Sequence, residues 1–313
     1  MINRRQLLQG GAATILTASV AGVSAKETPQ LDIIDTNLSL FQWPFRRLPL
    51  DDTGLLIKKM RALGITQGWA GSLEAILHRD LSSVNRRLVE VCSHHPELIP
   101  IGSINPTLPD WQGDLSLCLK KFKMPGIRLH PSYHGYTLAD RFFAQILERA
   151  TKAGLFVQVA VTMEDPRTQH SRMRVPDVAL DPLPKLMSDH PGARVQLLNL
   201  RPRAAQIDSL AKIPGVYLDT SRVEGTDGVP VLFGKMPAGR VLFGTHAPLL
   251  IPEAALIRTH ESAILDEKAL RGLLAGDAQA FLGAPPPFFR HAAIRKNRKI
   301  LSFFFVFYRK IHF

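Results

Sequence analysis

Eight short apolar runs punctuate this chain, at residues 31–35, 65–70, 98–104, 126–130, 156–161, 195–200, 216–219 and 241–244. Each has the length of a strand, and unbroken apolar character is what a strand covered on both faces needs. Between them, residues 54–63, 81–93, 115–122, 138–153, 183–189 and 203–211 space their apolar side chains as a helix does. Asp80 and Asp110 stand where N-caps belong, and Gly64 and Gly154 where helices stop. Residues 251–265 and 266–282 read as two closing helices. Strand followed by helix, eight times over, predicts an all-parallel sheet in the α/β class. The length suits a single-domain (β/α)8 TIM barrel. A doubly wound open sheet shares this alternation, but the Gly-rich phosphate loop that would follow its first strand is absent.

Charge changes the picture little once it is located. Of the formal +12, two charges come from Arg4 and Arg5 and seven from residues 288–313, leaving three for the body. A near-neutral body excludes a nucleic-acid footprint, which needs a clustered basic face on the domain itself. Cys92 and Cys118 fall in two different helical stretches, so they read as buried apolar thiols, with a disulfide as the alternative.

The two ends differ from the middle. Residues 1–25 carry Asn3-Arg4-Arg5-Gln6-Leu7-Leu8, an apolar small-residue stretch and Val23-Ser24-Ala25. This resembles a twin-arginine signal with a small-x-small cleavage site, and it implies the export machinery as a partner and a bacterial periplasmic location. The barrel is expected over 26–287, ending at Pro285-Pro286-Pro287. Residues 288–313 form a basic, aromatic tail, read as poorly ordered, with membrane-surface contact as the alternative.

A barrel keeps its chemistry where the strands end. Collected by strand end, the polar residues are Asp35 and Asn37; Ser72 and Glu74; Asn105; Arg128, His130 and His134; Glu164, Asp165, Arg167 and His170; Asn199 and Arg201; Asp219, Arg222 and Glu224; and His246. Arg128 and His130, two apart, share a strand face. Pro131 is expected to stop a helix, so His130 and His134 would meet only across a loop. Tyr133 and Tyr136 offer flat faces to a substrate. Glu164 and Asp165 are adjacent carboxylates suited to acid–base work or to a metal, or else salt-bridged by nearby arginines. Glu224 would face the same mouth. His246, at the end of the last strand, is the strongest candidate for a base near neutral pH.

Taken in order, Ile33-Ile34-Asp35-Thr36-Asn37, Gly126-Ile-Arg128-Leu-His130-Pro131 and Val241-Leu-Phe-Gly-Thr245-His246-Ala-Pro248 resemble the amidohydrolase-related family of TIM-barrel hydrolases. That resemblance implies a catalytic divalent metal, zinc above all. The first shell departs from it: the family's two strand-one histidines correspond to Asn37 and Ser39, its strand-five histidine falls near Ala160, its strand-six histidine is Asn199, and its strand-eight aspartate is His246.

Three readings follow. One is a divergent hydrolase with a relocated metal drawn from His130, His134, His246, Glu164 and Glu224, activating water at an amide, ester or lactone. Another is a metal-free acid–base enzyme, lactonase- or decarboxylase-like. The third is a non-catalytic exported barrel that binds a small molecule. For the first two, the catalytic set is His246, His130 and Glu164. Arg128, His134, Tyr133, Asn37, Arg167 and Glu224 would hold a small organic anion.

Overall fold

A computed structural model of the protein describes residues 32–283. The signal-like segment 1–25 and the tail 288–313 lie outside the described residues. Nine strand segments follow one another: β1 (Ile33–Leu40), β2 (Ile65–Ser72), β3 (Leu98–Pro100), β4 (Gly102–Ser103), β5 (Gly126–Leu129), β6 (Phe156–Ala160), β7 (Val195–Leu198), β8 (Val216–Asp219) and β9 (Val241–Leu242). Every pairing is parallel, in the orders β1-β2-β3 and β4-β5-β6-β7-β8-β9.

Backbone bonds join the two sheets at both edges. The Ile101 N–H donates to Ala70 O at 2.9 Å, so β3 and β4 act as one interrupted strand. On the other side Thr36 N–H donates to Phe243 O (2.9 Å), Ser39 N–H to Ala247 O (2.8 Å) and His246 N–H to Asn37 O (2.7 Å). The result is a closed ring of eight strands, which leaves no edge unpaired.

The ring is filled in two zones. Towards the amino ends of the strands, Trp69, Phe156 and Phe281 stack, with Trp69–Phe156 centroids 5.1 Å apart and Phe156–Phe281 5.0 Å apart. Phe281 comes from the helix Asp277–Leu282, so the last helix plugs that end. Further along, the interior is polar, and its two glutamines are paired. Gln158 Nε2 donates to Thr36 O and to Gln196 Oε1, both at 2.8 Å, and Gln196 Nε2 donates to Thr36 Oγ1 at 2.7 Å. Buried amides survive this way only when each finds a partner.

Some local expectations change. The first strand does not stop at Asp35. It runs to Leu40 with irregular register between Asp35 and Leu38, so Asn37 and Ser39 lie inside the strand. Pro131 starts a helical turn, Pro131–His134, because a proline at the first helical position has no N–H to lose. His134 N–H donates to His130 O at 3.0 Å, which makes these two residues a helical pair after all. Asp80 caps its helix through Ser83 N–H at 3.0 Å, whereas Asp110 makes no side-chain cap. Gly64 and Gly154 take the left-handed conformation that ends helices, with φ of 74° and 72°. The helix Gly228–Lys235 was not foreseen, because Gly228, Pro230 and Gly234 hide its spacing. Cys92 and Cys118 are free and buried, and burial pushes both thiols up to about 12.

Candidate functional site

An amide stands at the centre of the mouth. Asn37 Nδ2 donates to Asn199 Oδ1 at 2.6 Å and to Asp219 Oδ2 at 2.5 Å. The other oxygen of Asp219 accepts the Asn199 N–H and the Ser221 hydroxyl, both at 3.1 Å. Asn199 adopts φ +60°, a left-handed conformation that a short polar side chain tolerates, and its Nδ2 donates to Thr162 O at 2.8 Å. Asn37, Asn199 and Asp219 are thus cross-linked through β1 and the ends of β7 and β8. Burial outweighs these hydrogen bonds on Asp219 and raises its carboxyl to about 6. Asn37 Oδ1 is left buried with no partner.

Two histidines lie beside this hub. His246 has φ +58°, and its Nε2 sits 2.8 Å from Met163 O. A carbonyl only accepts, so assignment of the proton to Nε2 follows, and Nδ1 is a bare, buried lone pair without a partner. Burial lowers His246 to about 3, against the pull of the Met163 carbonyl, so the ring is neutral. His130 is 2% exposed, and its Nδ1 is also without a partner. Burial holds it well below the usual imidazole range, helped by His134, Arg128 and His246. The His130 and His134 rings meet edge to face at 5.8 Å.

The remaining candidates take other places. Arg128 is not a substrate clamp: Nε donates to Gln158 Oε1 (2.9 Å), and Nη1 to Leu38 O (2.9 Å) and Ser39 Oγ (3.0 Å). Its guanidinium is a strut inside the barrel, and burial lowers it to about 10. A Cβ on Gly71 would lie 2.5 Å from Arg128 Nη1, so the strut needs a glycine there. Asp35 is a clasp: it accepts Asn37 N–H and Thr245 N–H at 3.0 Å each and the Thr245 hydroxyl at 2.5 Å, tying β1 to the segment after β9.

Glu164, 3% exposed, is ion-paired to Arg46. Asp165 is spent on Arg167 and Arg201, which hold its carboxyl well below the usual range. Arg167 is a surface side chain, 89% exposed, so it does not line the mouth. Glu224 is half exposed, 4.0 Å from Arg201. His134 Nε2 faces Ala75 O at 3.0 Å. Tyr133 packs edge-on to Trp43 (5.8 Å) and stacks near Phe45 (6.4 Å), and burial pushes its hydroxyl up to about 12.

This distribution does not suit the family metal. Among the described residues no three His, Cys, Asp or Glu side chains gather in a group that could hold an ion. Of the five donors named as relocated ligands, Glu164 is claimed by an ion pair, Glu224 lies at the surface and His134 faces a carbonyl. His130 and His246 remain, fewer than the three protein ligands of a catalytic zinc.

Asn199, Asp219, Ser221 and Arg222 are the site residues that sequence reasoning underweighted. Asn199, Asp219 and Arg222 stand at the ends of their strands, which is the signal the sequence offers. Their hydrogen-bond partners come from strands far apart in the chain.

A search of curated protein sequences finds no match. Among solved structures, 2,6-dihydroxybenzoate decarboxylase from Rhizobium shares 15% identity over 79% of this chain and 98% of its own, with a TM-score of 0.61. A 5-carboxyvanillate decarboxylase from Novosphingobium aromaticivorans with bound manganese shares 12% over 80% and 97%, at 0.63. Amidohydrolase 2 from Bifidobacterium longum subsp. infantis shares 17% over 80% and 98%, at 0.56. At such identities the likeness is one of fold. Residues 41–284 match the Amidohydrolase family, and the chain belongs to it.

Proposed function

We propose that this protein is a metal-independent acid–base enzyme that acts on a small organic anion at the barrel mouth, hydrolysing an ester, lactone or C–N bond. The observation that carries this reading is a pair of buried imidazole nitrogens without partners, Nδ1 of His246, which is a bare lone pair, and Nδ1 of His130. Lone pairs of that kind accept a hydrogen bond or a proton from water. Asn37 Oδ1 adds a third unspent acceptor from the hub.

At about 3, His246 by itself is a weak base. Two of its influences are the charges of Arg222 and Arg128. A substrate anion beside the ring opposes them and favours the imidazolium, so binding itself strengthens the base. His246 would then take the proton of the attacking water and return it to the leaving group, with His130 orienting the water. Glu164 acts at one remove, by holding Arg46 and with it the segment that carries Trp43 and Phe45.

Decarboxylation of an aromatic acid is the second reading. It is favoured by the rings of Trp43, Phe45 and Tyr133 and by neighbours of this fold that decarboxylate hydroxybenzoates. The carbon–carbon bond would break with its electrons left on the ring carbon and carbon dioxide leaving, and His246, first protonated at Nδ1 from solvent, would deliver that proton to the ring carbon.

The test is turnover of aryl esters, lactones and hydroxybenzoates by the full chain, before and after dialysis against chelator, beside His246→Ala and His130→Ala. Turnover that survives chelator and falls about a hundredfold or more in the variants supports the proposal. Loss on chelation would sink metal independence. Ligand binding without turnover of any substrate would leave the barrel as a binder. The proposal extends to export through Arg4 and Arg5: Lys at both positions should keep the protein out of the periplasm, and normal export of that variant would refute it.

A further inference from the structure

Arg222 follows β8 by three residues and is 4% exposed. Its Nε and Nη1 have no hydrogen-bond partner among the described residues. No other strand-end arginine is left this way. Arg128 is spent on the barrel interior, and Arg167 and Arg201 share Asp165. The acids that offset its charge give Arg222 little: both oxygens of Asp165 are engaged, Glu224 is half exposed beside Arg201, and Asp177 is exposed. Arg258 approaches from the helix Pro252–His260. Its Nη2 donates to Ser221 O at 3.0 Å, and its Nε is likewise unpartnered. The Ser221 hydroxyl lies 3.1 Å from both Asn199 Oδ1 and Asp219 Oδ1 of the hub and shares its one proton between them.

Burying a guanidinium without acceptors is costly, and a pairing anion removes that cost through charge-assisted hydrogen bonds. A fold that keeps such a group beside its reacting centre holds a place for an anion. We propose that Arg222 is an oxyanion-binding site at the mouth of the barrel, and that its ligand is a carboxylate carried by the substrate. Only the identity of the ligand as substrate rests on the enzyme reading; the site itself does not.

The experiment is calorimetric titration of the full chain with benzoate, with its neutral counterpart benzamide and with inorganic sulfate, in wild type, Arg222→Met, Arg222→Lys and Arg167→Met. Benzoate should bind saturably and benzamide about tenfold more weakly or worse. Arg222→Met should lose about tenfold in benzoate affinity, with an unliganded Tm equal to or above wild type, because an unpaired buried charge has gone. Arg167→Met should change neither. If the Met variant does not fold, Arg222→Lys carries the test: it keeps the charge but not the planar fork, and benzoate should weaken several-fold.

Equal affinity for benzoate and benzamide, undiminished benzoate binding in the Arg222 variants, or no saturable benzoate binding at all would overturn the site as proposed. Sulfate binding without benzoate binding would overturn the carboxylate assignment. Arg222-dependent benzoate binding with no turnover would refute the enzyme and leave the site standing. His246-dependent turnover indifferent to Arg222 would refute the site alone.

Discussion

Replacing Asp219 with Asn exchanges a buried carboxylate for a neutral group of the same shape. Two effects of opposite sign follow at pH 7. The amide puts an NH2 where Oδ2 accepted from Asn37, so a hydrogen bond to a charged acceptor worth about 1.5–3 kcal/mol is lost. The cost of burying the charge disappears as well, and a carboxyl raised from 3.8 to about 6 says that this cost exceeds all the hydrogen bonds to the carboxylate by about 3 kcal/mol. Burial is the larger effect at pH 7, and the informative quantity is how the stability gap between wild type and variant moves with pH.

A group whose folded pKa lies above its unfolded value contributes stability that is full below the unfolded value and is lost as pH rises through the folded one. Between pH 7 and pH 5 wild type should therefore gain about 1.4 kcal/mol on Asp219→Asn, or roughly 3–6 °C in Tm. Asp35 also has a raised carboxyl and pushes on Asp219, so part of this change belongs to the pair. The assay is urea unfolding of both proteins at the two pH values in one buffer of constant ionic strength. A gap that stays constant from pH 7 to 5 and then narrows below pH 4 would mean that the hydrogen bonds outweigh burial, and the reasoning would be refuted.

Arg128→Lys should lower stability by about 3 kcal/mol or more in urea unfolding, because one ammonium does not reach the Leu38 carbonyl, the Ser39 hydroxyl and the Gln158 amide together; an unchanged midpoint would contradict the strut. Arg46→Ala should speed tryptic cleavage at Arg167, Arg172 and Arg174, with a global cost of about 1–2 kcal/mol after discounting for the half-exposed arginine; an unchanged cleavage pattern would show that the ion pair does not hold that loop. Dialysis against chelator should leave Tm unchanged, and a fall of several degrees would reveal a metal holding the folded state.

Strand number and order were legible because strands buried on both faces must be apolar, and eight such runs stand out from amphipathic neighbours. The register of β1 was not. Asp35, Thr36, Asn37 and Ser39 look like a polar loop in the sequence, yet each is buried in the strand or just above it because a clasp, an amide hub and Arg128 satisfy them. The adjacent Glu164 and Asp165 read as one acid–base pair, but they diverge, one to Arg46 and the other to Arg167 and Arg201.

The chain by itself determined a parallel α/β architecture and the loss of the family's metal-binding residue types, because hydrophobic periodicity and side-chain chemistry are local properties. Which arginine is spent and which is free was decided only by the tertiary structure. Arg128, Arg167 and Arg222 are equivalent as letters, yet Arg128 finds an acceptor 90 residues away, Arg167 one two residues away, and Arg222 Nε and Nη1 none among the described residues. A guanidinium becomes a strut, a surface pair or an open site according to which carbonyls and carboxylates the closed barrel brings within 3 Å of it.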